Sequence, residues 1–464
     1  MQKKQCFLGI CLVMLLSGCA GVKRSYEVPA STLPPLDKGP QAAEAAPEKK
    51  PNVQIANAQQ NNAILTLEKV LALTLANNPE IAGSTWDKKI GDARTLQAGL
   101  GPNPELSFSL SDFGGTGYYR GTDVSTSAVQ LGQLIELGGK RTKRTRLAAL
   151  EKDLAGWDYE AKRLDMLAEA NKNFLDVLAV QEKIGVVEEL VRLATRARET
   201  VAERVKAGKV SPLEETKAGV ALSQTRIQLE RTKTELTAAR KRLAATMGIG
   251  DPVFQRVEGD LKKLSSIPSS DTLNAYLEQN PDVARWAKEK EQREASLVLE
   301  KAKQIPDLTL TGGVQYDASA RDSALMIGVS FPLSFFDRNQ GNIAEAEYKI
   351  AKAREESRAA RSKAASTLAG AYQALASSYA ESKSLQDDIV PSAQKVFELT
   401  QEGFREGKFD FLELLDAQRT LFEARGNFVD SLSNYHKAVV DIERITATPL
   451  AEVSGTRQKT KGNN

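Results

Sequence analysis

Part of this chain is written twice. Asn78-Pro79 recurs as Asn280-Pro281, and Pro104-Glu105-Leu106 recurs as Pro306-Asp307-Leu308, both at an offset of 202 residues. Ala207-Gly208-Lys209 with Leu213-Glu214 returns as Glu406-Gly407-Lys408 with Leu412-Glu413, at an offset of 199. The duplicated unit is about 200 residues long, whereas solenoid repeats run roughly 20–50 residues. Two such large copies predict pseudo-symmetric halves of one object.

The N-terminus reads as a targeting segment. Lys3 and Lys4 precede a short apolar run from Phe7 to Leu16, too short to span a bilayer as a mature helix. Leu16-Ser17-Gly18-Cys19 then resembles a bacterial lipobox. That resemblance implies a signal peptide over 1–18, lipidation of Cys19 and export, with Ala20 fitting delivery to the outer membrane. All three cysteines (Cys6, Cys11, Cys19) lie in this leader. A mature chain starting at Cys19 has no internal disulfide, thiolate metal site or cysteine nucleophile. No later segment has the 18 or more apolar residues of a transmembrane helix, so any membrane crossing must use strands. The 63 Lys and Arg and 60 Asp and Glu are interspersed. That is a solvated helix surface and not a nucleic-acid footprint.

Residues 19–62, rich in Pro and Ala, read as an extended linker. The first copy covers 63–248, a connector 249–270, the second copy 271–448, and a disordered tail 449–464. Thr66 to Gly99 reads as helix with Leu67, Val70, Leu71, Leu75 and Ile90 on one face, interrupted at Asn77-Asn78-Pro79. Two long helices are predicted, over about 140–206 and 339–405, each roughly 100 Å at 1.5 Å per residue. In the first, Leu147, Leu150, Leu154, Trp157, Ala161, Leu164 and Ala168 form a heptad seam. Ile343, Ala346, Ile350 and Ala353 form the start of another in the second. Each long helix ends in a tight turn at Gly208 or Gly407, where a positive φ is expected. Returning helices follow over about 212–246 and 411–445. Ser211 with Glu214, and Asp410 with Glu413, have capping-box spacing.

Four segments before the long helices alternate. Leu106, Phe108 and Leu110 alternate with serines, and 124–133 alternates more weakly. Leu308, Leu310, Val314 and Tyr316 share one face of the third segment; Leu325, Ile327, Val329 and Phe331 share one face of the fourth. Such runs match transmembrane β-strands. Four strands cannot close a barrel, and open edges are not tolerated in lipid, so the chain must share a barrel with copies of itself. Three chains would supply twelve strands.

These residues resemble the TolC-type outer-membrane efflux channels over about 67–446. The resemblance rests on the duplicated Asn-Pro and Pro-x-Leu openings. It rests also on Leu137-Gly138-Gly139-Lys140-Arg141, on Phe336-Asp337-Arg338-Asn339-Gln340-Gly341, and on Gly407-Lys408-Phe409-Asp410-Phe411-Leu412-Glu413 with Asp416-Ala417-Gln418. Ile135 to Arg141 looks most like the cobalt-zinc-cadmium branch. The resemblance implies a mostly α protein with a membrane β part: a homotrimer whose twelve-strand β-barrel in outer-membrane lipid continues as a long α-helical barrel. It implies a passive duct for heavy-metal cations. Its partners would be a periplasmic adaptor and an inner-membrane RND pump. Drug efflux and type I protein secretion are alternatives inside the class. A lipid-anchored periplasmic adaptor is the rival outside it, but adaptors normally carry one helical hairpin and no membrane strands.

The resemblance also supplies the candidate site. Glu214, Glu413 and Asp416 match positions that ring the periplasmic entrance, although Glu214 and Glu413 also fit as helix caps. Phe404 stands where a gate tyrosine is common, and Phe409 where an arginine is common, which replaces an ionic lock by an apolar constriction. Gly208 and Gly407 mark the tip turns. No catalytic residue, cofactor or bound metal is expected, and no nucleic-acid partner. The one histidine, His436, is expected to be structural.

Overall fold

The computed structural model describes residues 64–453. The signal segment with Cys19, the 19–62 linker and residues 454–464 lie outside them. In chain order the first copy comprises β1 (Ile64–Thr66), α1 (Leu67–Asn77), α2 (Pro79–Gly99), β2 (Glu105–Ser111), β3 (Thr126–Ile135), α3 (Lys140–Lys206) and α4 (Pro212–Thr246). The connector carries β4 (Arg256–Glu258), and the second copy comprises α5 (Ser270–Asn274), α6 (Pro281–Lys303), β5 (Leu308–Asp317), β6 (Asp322–Ser330), α7 (Gln340–Ser384), α8 (Val390–Glu406) and α9 (Phe411–Thr446).

The hairpins of the two copies join into one antiparallel sheet of order β2-β3-β5-β6. Register sorts the side chains by polarity. Phe108, Val129, Val314 and Leu325 stand in one row across the sheet; Leu106, Leu131, Gly312 and Ile327 stand in another. This face is apolar and open, with Leu325 84% and Ile327 87% exposed. The opposite face carries Ser109, Ala128, Gln315 and Ala324 in one row and Ser107, Gln130, Gly313 and Met326 in the next. Among the described residues, β2 and β6 each have a free edge. β3 lies two residues later than its own alternation suggests, because Leu134 and Ile135 continue the ladder against Thr309 and Leu308. Pairing with a ten-residue partner overrides a weak local pattern.

The duplicated asparagines explain themselves in the fold. Asn78 caps α2, accepting from Glu80 and Ile81 N–H at 2.8 and 3.1 Å, while its amide donates to the Thr246 carbonyl that ends α4 at 2.8 Å. Asn280 caps α6 by accepting from Asp282 N–H and donates to the carbonyls of Arg444 and Ile445 near the end of α9. Each proline behind them sits at the first helical position, where a missing N–H costs nothing. One side chain thus starts the short helix and satisfies the orphan carbonyls of the returning one.

α3 is unbroken over 67 residues. Leu150 and Leu154 of the expected seam are buried. Farther along, Phe174, Leu175 and Val177 to Val180 are buried in one run, because α1, α4, β4 and α9 all pack on this stretch. In the second copy Ala346, Ile350 and Ala353 are buried as the small-residue seam requires. The second long helix is not uniform. A turn of π-helix over Leu385–Ile389 separates α7 from α8, two residues before Pro391. Proline cannot donate to the carbonyl four residues back, and its ring crowds that carbonyl; a wider turn relieves both.

Other expectations differ from the structure as well. Leu75 and Ile90 are exposed; α1 buries Val70 and Thr74, and after the break at Asn78 resets the helical phase α2 buries Ile81 and Gly91. The 249–270 connector is not irregular throughout. Its β4 pairs in parallel with β1, and the Gln181 side chain both donates to and accepts from Val257. Strands of three residues are too short to show a period. Beyond Pro449, residues 450–453 make a further helical turn, with Leu450 and Val453 buried near Tyr435 and Ile442. They are therefore not part of a disordered tail.

Candidate functional site

The two hairpin tips close alike. At the first, Gly208 has φ +68°, Lys209 N–H donates to the Arg204 carbonyl and Gly208 N–H to that of Val205, both at 2.9 Å. At the second, Gly407 has φ +81°, Lys408 N–H reaches the Gly403 carbonyl at 2.8 Å and Gly407 N–H that of Phe404 at 3.1 Å. These are Schellman closures, which need a left-handed residue that glycine adopts without strain.

The returning helices start differently. Asp410 and Glu413 form the expected capping box: Asp410 Oδ1 accepts from Glu413 N–H at 2.9 Å, and Glu413 Oε2 accepts from Asp410 N–H at 3.1 Å. Ser211 and Glu214 do not. Ser211 Oγ accepts from Leu213 N–H, and Glu214 N–H goes to the Ser211 carbonyl. With its serine engaged one residue early, the Glu214 carboxylate is not drawn back, and it stays half-buried at the tip.

Glu413 and Asp416 lie three apart on α9, and both are exposed. Asp416 shares Arg419, whose guanidinium lies 3.3 Å away and also 3.7 Å from Glu423. These exposed pairs each contribute about 0–1 kcal/mol. No hydrogen bond or ion pair joins Glu214 to Glu413 or Asp416 among the described residues.

The two phenylalanines part company. Phe404 is 2% exposed and packs against Phe411, ring centroids 6.2 Å apart. Arg204 of the first hairpin covers it, guanidinium 4.8 Å from the ring centroid, and Nη1 donates to the Phe404 carbonyl at 3.0 Å. Phe404 is therefore core at the tip and cannot line a constriction in this arrangement. Burial among Val201, Phe411 and Leu414 stabilises it more than exposure at a pore mouth would. Phe409 is 43% exposed and leans on Gly403, where an added Cβ would come within 2.2 Å of its ring.

Arg204 and Gly403 do not stand out in the sequence. Arg204 stands where the second copy has Gly403, so the duplication gives no signal for it; its guanidinium couples the two tips and offsets the negative end of α8.

His436 lies half-buried at mid-height, edge-on to Tyr435 with ring centroids 5.1 Å apart, and Nε2 meets the Leu261 carbonyl at 2.9 Å. Burial pushes its pKa down, opposed by the Leu261 hydrogen bond and by Asp260. A neutral ring donating to Leu261 pins the connector to α9. Tyr435 does the same through Ser265, accepting from its N–H and donating to its carbonyl, each at 3.0 Å. Among the described residues no group of three His, Cys, Asp or Glu is placed to hold a metal ion.

Comparison with known proteins agrees with this geometry. Residues 70–249 and 272–448 each match the family described as outer membrane efflux protein, so the family repeat coincides with the internal duplication. The cobalt-zinc-cadmium resistance protein CzcC of Cupriavidus metallidurans is 34% identical over 381 residues, 82% of this chain and 90% of that protein. The nickel-cobalt-cadmium resistance protein NccC of Alcaligenes xylosoxydans is 24% identical, covering 65% of this chain and 69% of NccC. Among solved structures, the Campylobacter jejuni CmeC outer membrane channel superposes with a TM-score of 0.67 at 18% identity, covering 85% of this chain and 88% of CmeC. A Pseudomonas aeruginosa membrane protein gives 0.70 at 20% identity, covering 84% and 92%. With two family repeats, a four-stranded sheet that is apolar outside, and two long helical hairpins, the chain belongs to the outer membrane efflux protein family.

Proposed function

We propose that this protein is the outer-membrane duct of a tripartite heavy-metal efflux system and that three copies close it into a ring. The carrying observation is the four-stranded sheet, apolar on one face and small or polar on the other, with an unpaired edge at each side. In hydrocarbon each unpaired N–H or C=O costs several kcal/mol. Pairing β6 of one copy with β2 of the next removes both edges, and three copies give twelve strands.

The same polarity runs down the helices. Near the strands the packing order is α2, α3, α6, α7; toward the tips it is α4, α3, α9, α8. One flank therefore belongs to the first copy at every level and the other to the second. Exposed apolar residues mark both: Leu96, Val220 and Ile227 on the first, Tyr348, Val396 and Leu399 on the second. Head-to-tail closure buries them.

Divalent cations are proposed as cargo because the cobalt-zinc-cadmium relative aligns over nearly its whole length. A duct should pass such ions without holding them, so hard, solvated carboxylates suit it better than soft ligands. Glu214, Glu413 and Asp416 would then line the entrance with nine carboxylates in three chains, with Phe409 beside them. Cys19 would carry the lipid anchor, and the tips would meet a periplasmic adaptor delivering cargo from an inner-membrane pump. The duct would have no catalysis of its own. Deleting the gene should sensitise the cell to zinc, cobalt or cadmium while tolerance of neutral drugs changes little. Unchanged metal tolerance with increased drug sensitivity would move the protein to the drug-efflux branch.

A further inference from the structure

We infer that the π-turn of one protomer is a specificity knob that seats on α4 of the next, with Asp387 and Asp388 facing Arg226 and Arg231. This rests on the ring proposed above and names the contact that sets its register between the tips and mid-height.

Four observations carry it. First, the π-turn presents Ile389, 42% exposed, between exposed Asp388 and exposed Pro391. Pro391 accounts for the wide turn; it does not account for an apolar side chain and two acids on its outside. Second, α4 carries a shallow depression lined by Arg226, Ile227, Glu230, Arg231 and Thr234, with Ile227 exposed within it. Third, none of these charges has an ion-pair partner on another helix among the described residues. Among the described residues neither Arg226 nor Arg231 has an ion pair, and Glu230 is held by Lys233. Asp388 accepts only from the Ser392 hydroxyl at 3.3 Å, and Asp387 has only Lys383, one turn back on its own helix at 3.3 Å.

Fourth, knob and depression lie at the same height. Arg204 bonds the Phe404 carbonyl, so α3 and α8 run level at an offset of 200 residues, which puts Asp388 level with Glu188. The α3–α4 cleft brings Val187 and Leu190 beside Gln228 and Thr232. Residues 226–234 of α4 are therefore level with the π-turn to within about a helical turn of 5.4 Å. They lie on opposite flanks of the chain, so only a second copy can bring them together. Complementary charge then suppresses a slipped register.

The test uses the full-length protein in its membrane. Apart from Cys6, Cys11 and Cys19 the chain has no cysteine, so Ile227→Cys with Ile389→Cys provides one reporter pair. Mild oxidation should give covalent dimers and trimers, while either single variant gives no trimer. Leu96→Cys with Tyr348→Cys serves as reference, on the same flanks nearer the membrane. If the reference pair forms trimers and the Ile227–Ile389 pair does not, the knob contact is wrong and the ring stands. If neither cross-links and light scattering in detergent gives a monomer, the ring itself fails. A charge arm guards against accidental proximity. Arg226→Asp with Arg231→Asp should lower Ile227–Ile389 cross-linking at least fivefold, and adding Asp387→Arg with Asp388→Arg should restore it. No restoration overturns the charge pairing.

Discussion

At the residue scale, the tip turns and one half-buried carboxylate make the sharpest tests. Gly208 and Gly407 both have positive φ. An added Cβ would meet nothing within 4 Å at Gly208, and only the far end of Arg204 at Gly407. A substitution there is opposed by backbone strain and not by crowding. A β-branched residue in the left-handed region costs roughly 1–2 kcal/mol. Gly208→Val with Gly407→Val should therefore spare insertion, read as heat-modifiable trimer in outer-membrane fractions, and lower efflux, read as metal tolerance. Normal tolerance would detach the tip turns from function. Glu443 offers a pH test. It accepts from Leu450 N–H at 2.9 Å, and burial raises its pKa, the hydrogen bond opposing. The folded state thus holds this proton more tightly than the unfolded chain. Its contribution is fully present below the unfolded value of about 4.3 and is lost as pH rises through the raised folded value. Glu443→Gln keeps an acceptor for Leu450 and removes the charge. Its melting temperature should exceed wild type at pH 7 and match it near pH 4; an equal difference at both would exclude titration as the cause. The glycine turns and the Asp410–Glu413 box are legible in sequence, because local backbone chemistry decides them. The burial of Phe404 is not, because Arg204, 200 residues earlier, decides it.

At the element scale, the strands carry a one-residue code. Shifting a strand's register by one would move its apolar set into the lumen, so the outward row is tightly specified. Ile327 and Gln315 sit on opposite faces of adjacent strands. An arginine facing lipid costs about 2–4 kcal/mol at the bilayer midplane, whereas lumen positions accept charge. Ile327→Arg should reduce assembled trimer in the outer membrane, while Gln315→Arg should assemble normally and change only conductance. Equal assembly of the two would overturn the facing, and failure of Gln315→Arg alone would invert it. This alternation is legible in the second copy, where apolar and small residues alternate cleanly. It is less so in β3, where Leu134 and Ile135 break the period and pairing with β5 sets the strand. Helix lengths are legible from heptad spacing. The π-turn is not, since a proline in a helix can equally produce a kink or an end.

At the scale of the whole molecule, three-fold assembly would turn single side chains into rings, and the entrance charge is where this would have a measurable effect. Each chain presents Glu413 and Asp416 on one exposed face of α9 and Glu214 at the other tip. One such set is ordinary on a solvated surface. Three sets around an axis would focus a negative potential on a narrow mouth and raise local cation concentration. The residues do not contribute equally. Asp416 shares its charge with Arg419, while Glu413 uses one oxygen in its cap and keeps its full negative charge. Glu413→Gln should preserve much of the box through its amide oxygen, so a selectivity change need not be a folding change. Glu413→Gln with Asp416→Asn should lower single-channel cation selectivity at low salt, Glu413→Gln supplying most of the effect. At 1 M salt, where the Debye length falls to about 3 Å from about 8 Å at physiological ionic strength, the difference should largely vanish. Adding Arg419→Gln to wild type should raise selectivity by freeing Asp416. Reversal potentials that ignore all three substitutions would leave the acids as caps and surface charge, and the entrance would then discriminate by width alone.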